Sequence, residues 1–318
     1  MDRATMLLGR VNAIEELSGR ALQLRRANRI DAIHSSTAIE GNRLSLAAVV
    51  DIADGGPGFG PMRDVQEVKN ALAAYDALDT FDPWSLDDFL RAHGLLTYGL
   101  IEESGAFRTV DLEIVSQTGA VLHTGSRHAK VPRLIGELLE WGQASPEHPL
   151  IVSSAVHYLI EHIHPFRDGN GRVGRLWQTL VLSRWQPELA WQPIETLIRE
   201  HQQGYYDALQ ASHAAEVDAA PFIDYMLGII IETLTAAEHS AKSGMRVGVN
   251  GGVNVGLSDQ VLMLLRDEPG ITAAGIALRL DKSTRTVERY LAKLTAAGTI
   301  RREGADKTGH WVLEEDPQ

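Results

Sequence analysis

The segment His164-Pro165-Phe166-Arg167-Asp168-Gly169-Asn170-Gly171-Arg172-Val173-Gly174-Arg175 decides how the rest of the chain is read. Ile151 to Ile163 before it has helical period, and Pro165 stops that helix. Gly169, Asn170 and Gly171 permit backbone conformations that turn successive N–H groups toward one point. They lead directly into a second helix, Arg172 to Trp185, whose N-terminal dipole also favours an anion. Arg172 and Arg175 lie three apart, on one face of its first turns. Asp168 beside an anion nest makes chemical sense if a cation comes with the anion, and a polyphosphate with Mg²⁺ meets every requirement at once. Histidine in general titrates near working pH, and His164 at the edge can serve as a base for an incoming hydroxyl.

Outward from this loop the chain is mostly helical in period, over Val11 to Arg25, Val65 to Leu78, Leu86 to Leu96, Leu134 to Trp141 and Pro221 to Ala237. Val110 to Val115 alternates instead, and Gln117 to Ala120 supplies turn chemistry before Val121-Leu122-His123. That predicts a β-hairpin in a helical domain, an edge that can hold a peptide by strand addition. Ser243 to Gly256 is rich in glycine and asparagine and breaks both periods. Beyond it come helices at Ser258 to Arg266, Thr272 to Leu280 and Ser283 to Ala297. Short strands at Thr299 to Arg302 and Gly309 to Leu313 complete a winged helix-turn-helix. The expected fold is mainly α, a helical domain with a hairpin flap followed by a small α+β winged helix. Its parts are 1–60 (N-terminal helices), 61–240 (catalytic domain), 241–256 (linker) and 257–318 (winged helix).

Composition narrows the chemistry. The 318 residues contain no cysteine, which excludes disulfides, thiolate catalysis and Cys-type metal centres. The start has too short an apolar run for a signal peptide. The most apolar later stretch, Met226 to Ile231, soon meets charge, so the expectation is a cytoplasmic protein with no membrane association. A net charge of −12 argues against a whole-surface nucleic-acid binder. Residues 257–318 hold nine Lys/Arg and ten Asp/Glu, a weak electrostatic footprint. Even so, Lys282, Ser283, Thr284, Arg285 and Arg289 line one recognition helix and are the candidates for DNA contact.

The loop resembles, without a mismatch, the signature of the Fic family of nucleotidyl transferases, and the wider resemblance runs from about Ile33 to Thr233. It implies a protein adenylyltransferase that uses Mg·ATP. By resemblance His164 is the general base, Asp168 holds Mg²⁺, and Gly169, Asn170 and Gly171 grip phosphates. Arg172 would support the phosphates and Arg175 would meet the γ-phosphate. Relatives that phosphorylate depart at the second glycine, usually to Lys, and Gly171 here favours AMP transfer. Tyr205-Tyr206 resembles a tyrosine pair bordering the adenine pocket, where aromatic faces stack on bases. Ser36, Glu40 and Gly41 match the family's inhibitory pattern Ser/Thr-x-x-x-Glu-Gly/Asn, expected on a short helix. A carboxylate pairing with Arg175 would put negative charge where the γ-phosphate must lie.

Other readings fit less well. Gly169 to Gly174 matches G-x-G-x-x-G, but no strand precedes it. His157, Glu161, His162 and His164 miss the spacing of zinc motifs. The leading expectation is an autoinhibited enzyme that modifies a Ser, Thr or Tyr hydroxyl of an unnamed target protein or of itself. Two alternatives stand beside it. One is an ATP-sensing, DNA-binding regulator; the other also removes AMP, with Glu40 positioning water. Exposed helix faces offer a route to a homodimer.

Overall fold

The computed structural model describes residues 3–9, 21–115, 121–213, 218–243, 261, 265, 271–279, 283–296, 299–303 and 310–313. The chain divides into two compact units, Met1–Val249 and Asn250–Gln318. The hairpin turn Gln117 to Ala120, most of the expected Ser243 to Gly256 linker, Lys282, and all but Val261 and Leu265 of the expected 258–266 helix lie outside the described residues.

The first unit is helical. Residues 3–9 are helical, followed by α1 (Ala21–Ile39), α2 (Leu46–Ala53), α3 (Met62–Asp76) and α4 (Leu86–Thr97). A hairpin of β1 (Glu113–Val115) and β2 (Val121–Thr124) pairs Glu113 with Thr124 and Ile114 with His123. Then come α5 (Val131–Ala144), α6 (Pro149–Ile163), α7 (Asn170–Trp185), α8 (Ile194–Glu200), α9 (Gln202–Ser212) and α10 (Ala220–Ser243).

Helix α7 is buried along nearly its whole length, Val173 to Ser183 included. A helix covered on all sides must be the axis of its domain. One core cluster wraps it with α1 to α6, where Phe89 meets Trp177 edge-on at 5.1 Å; a second, built on Tyr158, Leu182, Leu197, Tyr205 and Phe222, fills the space toward α8 to α10. Both ends of the loop from His164 to Gly169 therefore belong to extensively buried helices, α6 and α7.

Three elements differ from the sequence expectation. The first long helix, expected over Val11 to Arg25, is described from Ala21 and runs on to Ile39, so the inhibitory pattern ends a 19-residue helix and not a short one. Ile30, Ile33 and Ile39 carry its buried side past the polar Arg25-Arg26 step. The second difference is α2, which had no predicted counterpart. Its eight residues are capped by Ser45, whose side chain accepts from the Ala48 N–H.

Third, α10 spans Ala220–Ser243. Among the described residues its Ala220–His239 stretch is the one helix long and apolar enough to cross a membrane. Phe222, Met226, Ile230 and Leu234 of this helix are buried in the second core cluster.

In the second unit α11 (Ala273–Arg279), α12 (Thr284–Ala296) and the antiparallel pair β3 (Ile300–Glu303) and β4 (His310–Leu313) enclose a core of Ile276, Val287, Leu291, Leu294 and Ile300.

Candidate active site

The six residues between α6 and α7 are braced from inside. Asn170 folds its side chain back onto Phe166, accepting from its N–H and donating to its carbonyl, both at 2.9 Å. Asn170 thus shapes the loop with the side chain that sequence reading assigned to phosphate. Phe166 is fully buried, stacked on His93 at 3.6 Å between ring centres. Gly105 N–H donates to His93 Nδ1, which leaves Nε2–H to donate to the Asp168 carbonyl at 2.9 Å. Burial drives the His93 pKa down to about 4, so this strut stays neutral. Gly169 then turns with φ +90 into α7, whose first N–H groups have no partners within the helix.

His164 caps α6 in the left-handed conformation at φ +53, the single non-glycine residue with positive φ among those described. That geometry costs on the order of 1 kcal/mol and needs restraint from its surroundings. Arg108 supplies it. Its buried guanidinium donates to the carbonyls of His164 (2.7 Å), Val110 (2.6 Å), Ser126 and Ile163. One side chain thereby fastens both ends of the β1–β2 flap to the backbone of the candidate base.

The charged groups converge at the start of α7. Arg172 is buried, with Nη2 donating to Asp168 at 2.8 Å and Nη1 lying 2.6 Å from Glu67. Asp168 is about a third exposed and also meets Arg63 at 3.2 Å. Arg175, buried as well, donates from Nε to Ser36 Oγ and from Nη2 to the Ser36 carbonyl, each at 3.0 Å. Nη2 also pairs with Glu40 at 2.6 Å. Its Nη1 is buried without a hydrogen-bond partner.

A Cβ at Gly171 would run into Glu40 Oε1 and lie 3.0 Å from Arg175 Nη1 and 3.2 Å from Glu161 Oε1. Two carboxylates and a guanidinium therefore meet at the face of this glycine. Burial, reinforced by the Glu40 charge, pushes Glu161 up to about 7.

The tyrosine pair divides. Tyr205 is buried and shares its hydroxyl between Glu161 Oε1 and His157 Nε2, both at 3.2 Å. Tyr206 is 44% exposed, and its hydroxyl accepts from Gln202. His157 is a satisfied core residue whose Nδ1 lies 2.6 Å from Gln178 Oε1.

In the second unit Thr284, Arg285 and Arg289 are exposed on α12, while the Ser283 hydroxyl caps that helix by accepting from Thr286 N–H.

Sequence reading did not single out Glu67, Arg63, His93 or Arg108. Each is a lone polar residue in a helix or turn, and no local pattern marks it.

Among known proteins, the Fic/DOC family model matches residues 83–182, and a winged helix-turn-helix DNA-binding model matches 260–301. The protein adenylyltransferase Fic of Aedes aegypti is 29% identical over 238 residues, 70% of this chain and 45% of that protein. That of Culex quinquefasciatus is 28% identical over 217 residues, 64% of this chain and 41% of that protein. The chain thus spans less than half the length of these two relatives. A solved Fic family protein from Desulfovibrio desulfuricans G20 superposes with a TM-score of 0.70 at 33% identity, covering 100% of this chain and 98% of that one. With similarity at that level along its full described length, the chain belongs to the Fic family and carries a winged helix-turn-helix domain at its C-terminal end.

Proposed function

We propose that this chain transfers AMP from Mg·ATP to a protein hydroxyl and that Glu40 holds the enzyme off. The observation that carries the reading is the 2.6 Å pair between Glu40 and Arg175 at the anion-binding end of α7. A catalytic loop whose second arginine is already gripped by a carboxylate is a phosphate site with its counter-charge in place.

The chemistry follows from the residues. A target Ser, Thr or Tyr oxygen attacks the α-phosphorus, the bond to the bridging oxygen breaks, and pyrophosphate leaves. His164 takes the hydroxyl proton. The N–H groups at the start of α7, with Arg172 and Arg175, stabilise charge on the phosphates. Among the described residues there is no group of three or more His, Cys, Asp or Glu that could hold a metal. An accessible carboxylate suits Mg²⁺, which is commonly held by one or two carboxylates plus substrate phosphates. Asp168 is the residue that would hold it, and the ion would supply neutralisation of phosphate charge. The β1–β2 flap, tied to His164 through Arg108, offers an edge for the target segment.

Purified full chain carrying Glu40→Gly, given Mg²⁺ and ATP labelled at either the α- or the γ-phosphorus, is expected to gain covalent label from the α-position alone. The label would fall on itself or on an added target. Label from the γ-position would mean phosphoryl transfer instead. No label on the chain or on proteins of a cell extract would remove the transferase reading.

A second reading concerns the winged unit, where exposed Thr284, Arg285 and Arg289 line α12. We read this face as a DNA contact. Retention on duplex DNA should weaken steeply with salt, and Arg285→Ala with Arg289→Ala should abolish it. Absence of retention at low salt would leave that face without a DNA role.

A further inference from the structure

The end of α1 is a tight turn with a defined hydrogen-bond pattern. Gly41 N–H donates to the Ala38 carbonyl at 3.0 Å and Asn42 N–H to that of Thr37 at 3.1 Å, with Gly41 at φ +93. This is a Schellman motif, in which the left-handed residue is almost always glycine. It fixes the directions of the two residues that flank the glycine. Glu40 reaches Arg175, as described above.

Asn42 reaches the other arginine through one intermediary. Its Nδ2 donates to Glu67 Oε2 at 2.8 Å and to the Asp64 carbonyl at 3.0 Å, while its Oδ1 accepts from Leu44 N–H at 3.0 Å. Glu67 Oε1 in turn lies 2.6 Å from Arg172 Nη1. Both members of that pair are largely buried, with side-chain exposures of 3% and 13%. Arg172 is thus held along one edge by Glu67, and its Nη2 is left facing Asp168 and the loop.

We infer that Glu67 is a positioning residue for Arg172, itself aimed by Asn42, so that one turn places a side chain on the path to each loop arginine. The inference rests on the nucleotide-transfer reading of the site. Its physical basis is entropy and geometry. A free arginine side chain carries about 2 kcal/mol of rotamer entropy, and a guanidinium fixed before the phosphate arrives loses little more on contact. The Glu67 carboxylate pairs with Nη1, the nitrogen that does not meet Asp168. Glu40→Gly leaves Gly41, Asn42 and this arrangement in place, so opening the brake need not disturb Arg172.

The test is a double-mutant cycle in full-length Glu40→Gly protein, read as calorimetric affinity for the magnesium complex of α,β-methylene ATP. Glu67→Gln keeps the shape and removes the charge, and is expected to weaken binding about tenfold through loss of the buried ion pair with Arg172. Arg172→Ala should weaken it at least as much. Adding Glu67→Gln to Arg172→Ala should then change affinity by less than about twofold, because the first acts only through the second. Equal affinity of Glu67→Gln and its parent, or effects that multiply in the double variant, would overturn the inference. Asn42→Ala runs the same cycle if Glu67→Gln fails to fold, and its melting temperature separates misplacement from unfolding. Binding without any label transfer would sink the transferase reading while the cycle still decides the role of Glu67.

Discussion

Glu40→Gly is expected to raise the initial rate of α-label transfer about 10- to 100-fold. The size follows from the contact it removes. Arg175 holds the Glu40 carboxylate at 2.6 Å, and a hydrogen bond between charged groups is worth roughly 1.5–3 kcal/mol, which corresponds to about one to two decades. Glu40 is about a third exposed, so solvent screens part of that attraction, and the deeper estimates for fully buried pairs do not apply. The neutral Ser36 contacts to Arg175 survive in the variant and keep the guanidinium in place. The gain should show mainly as tighter apparent ATP binding, because a site available only part of the time binds weakly in proportion. Equal rates for the variant and the natural chain would show that Glu40 does not hold the site closed.

The opposite effect belongs to His164. In the Glu40→Gly background, His164→Ala should lower label transfer by about 10²- to 10⁴-fold, the usual contribution of a positioned base, while ATP affinity stays within about twofold. The backbone of this residue is held independently of its ring, by Arg108 on its carbonyl and by its own N–H to Ile160. Alanine retains the Cβ and the loop, and its poorer tolerance of left-handed φ costs on the order of 1 kcal/mol, which a melting curve would register. Label transfer at the parental rate would strip His164 of the base role and move the search to another proton acceptor.

The legible part of this protein was contiguous. From His164 to Arg175 the turn residues and the helix start they lead into are adjacent in sequence, so turn chemistry and helix polarity could be read directly. The helical phase of α4 to α7 and the alternation of the flap were equally plain, because burial imposes a period on the sequence.

The pairing of Glu40 with Arg175 crosses 135 residues, and only family resemblance pointed to it. Glu67 and Arg108 were out of reach for a further reason. On an amphipathic helix or at a loop end, a charged residue looks like part of a solvated face. Nothing local distinguishes the charge that turns inward to meet another. The helix carrying Ser36 was expected to be short, whereas Ile30, Ile33 and Ile39 extend one buried side along Ala21–Ile39.

Gly171 carries a consequence for how such a site can diverge. A side chain there would displace the Glu40 carboxylate and crowd Arg175 and Glu161 in the same step. The position therefore couples two features, the room left at the start of α7 and the reach of Glu40 to Arg175. A lineage that enlarged this residue would have to move the Glu40 carboxylate in the same step, and the contact of that carboxylate with Arg175 would change with it.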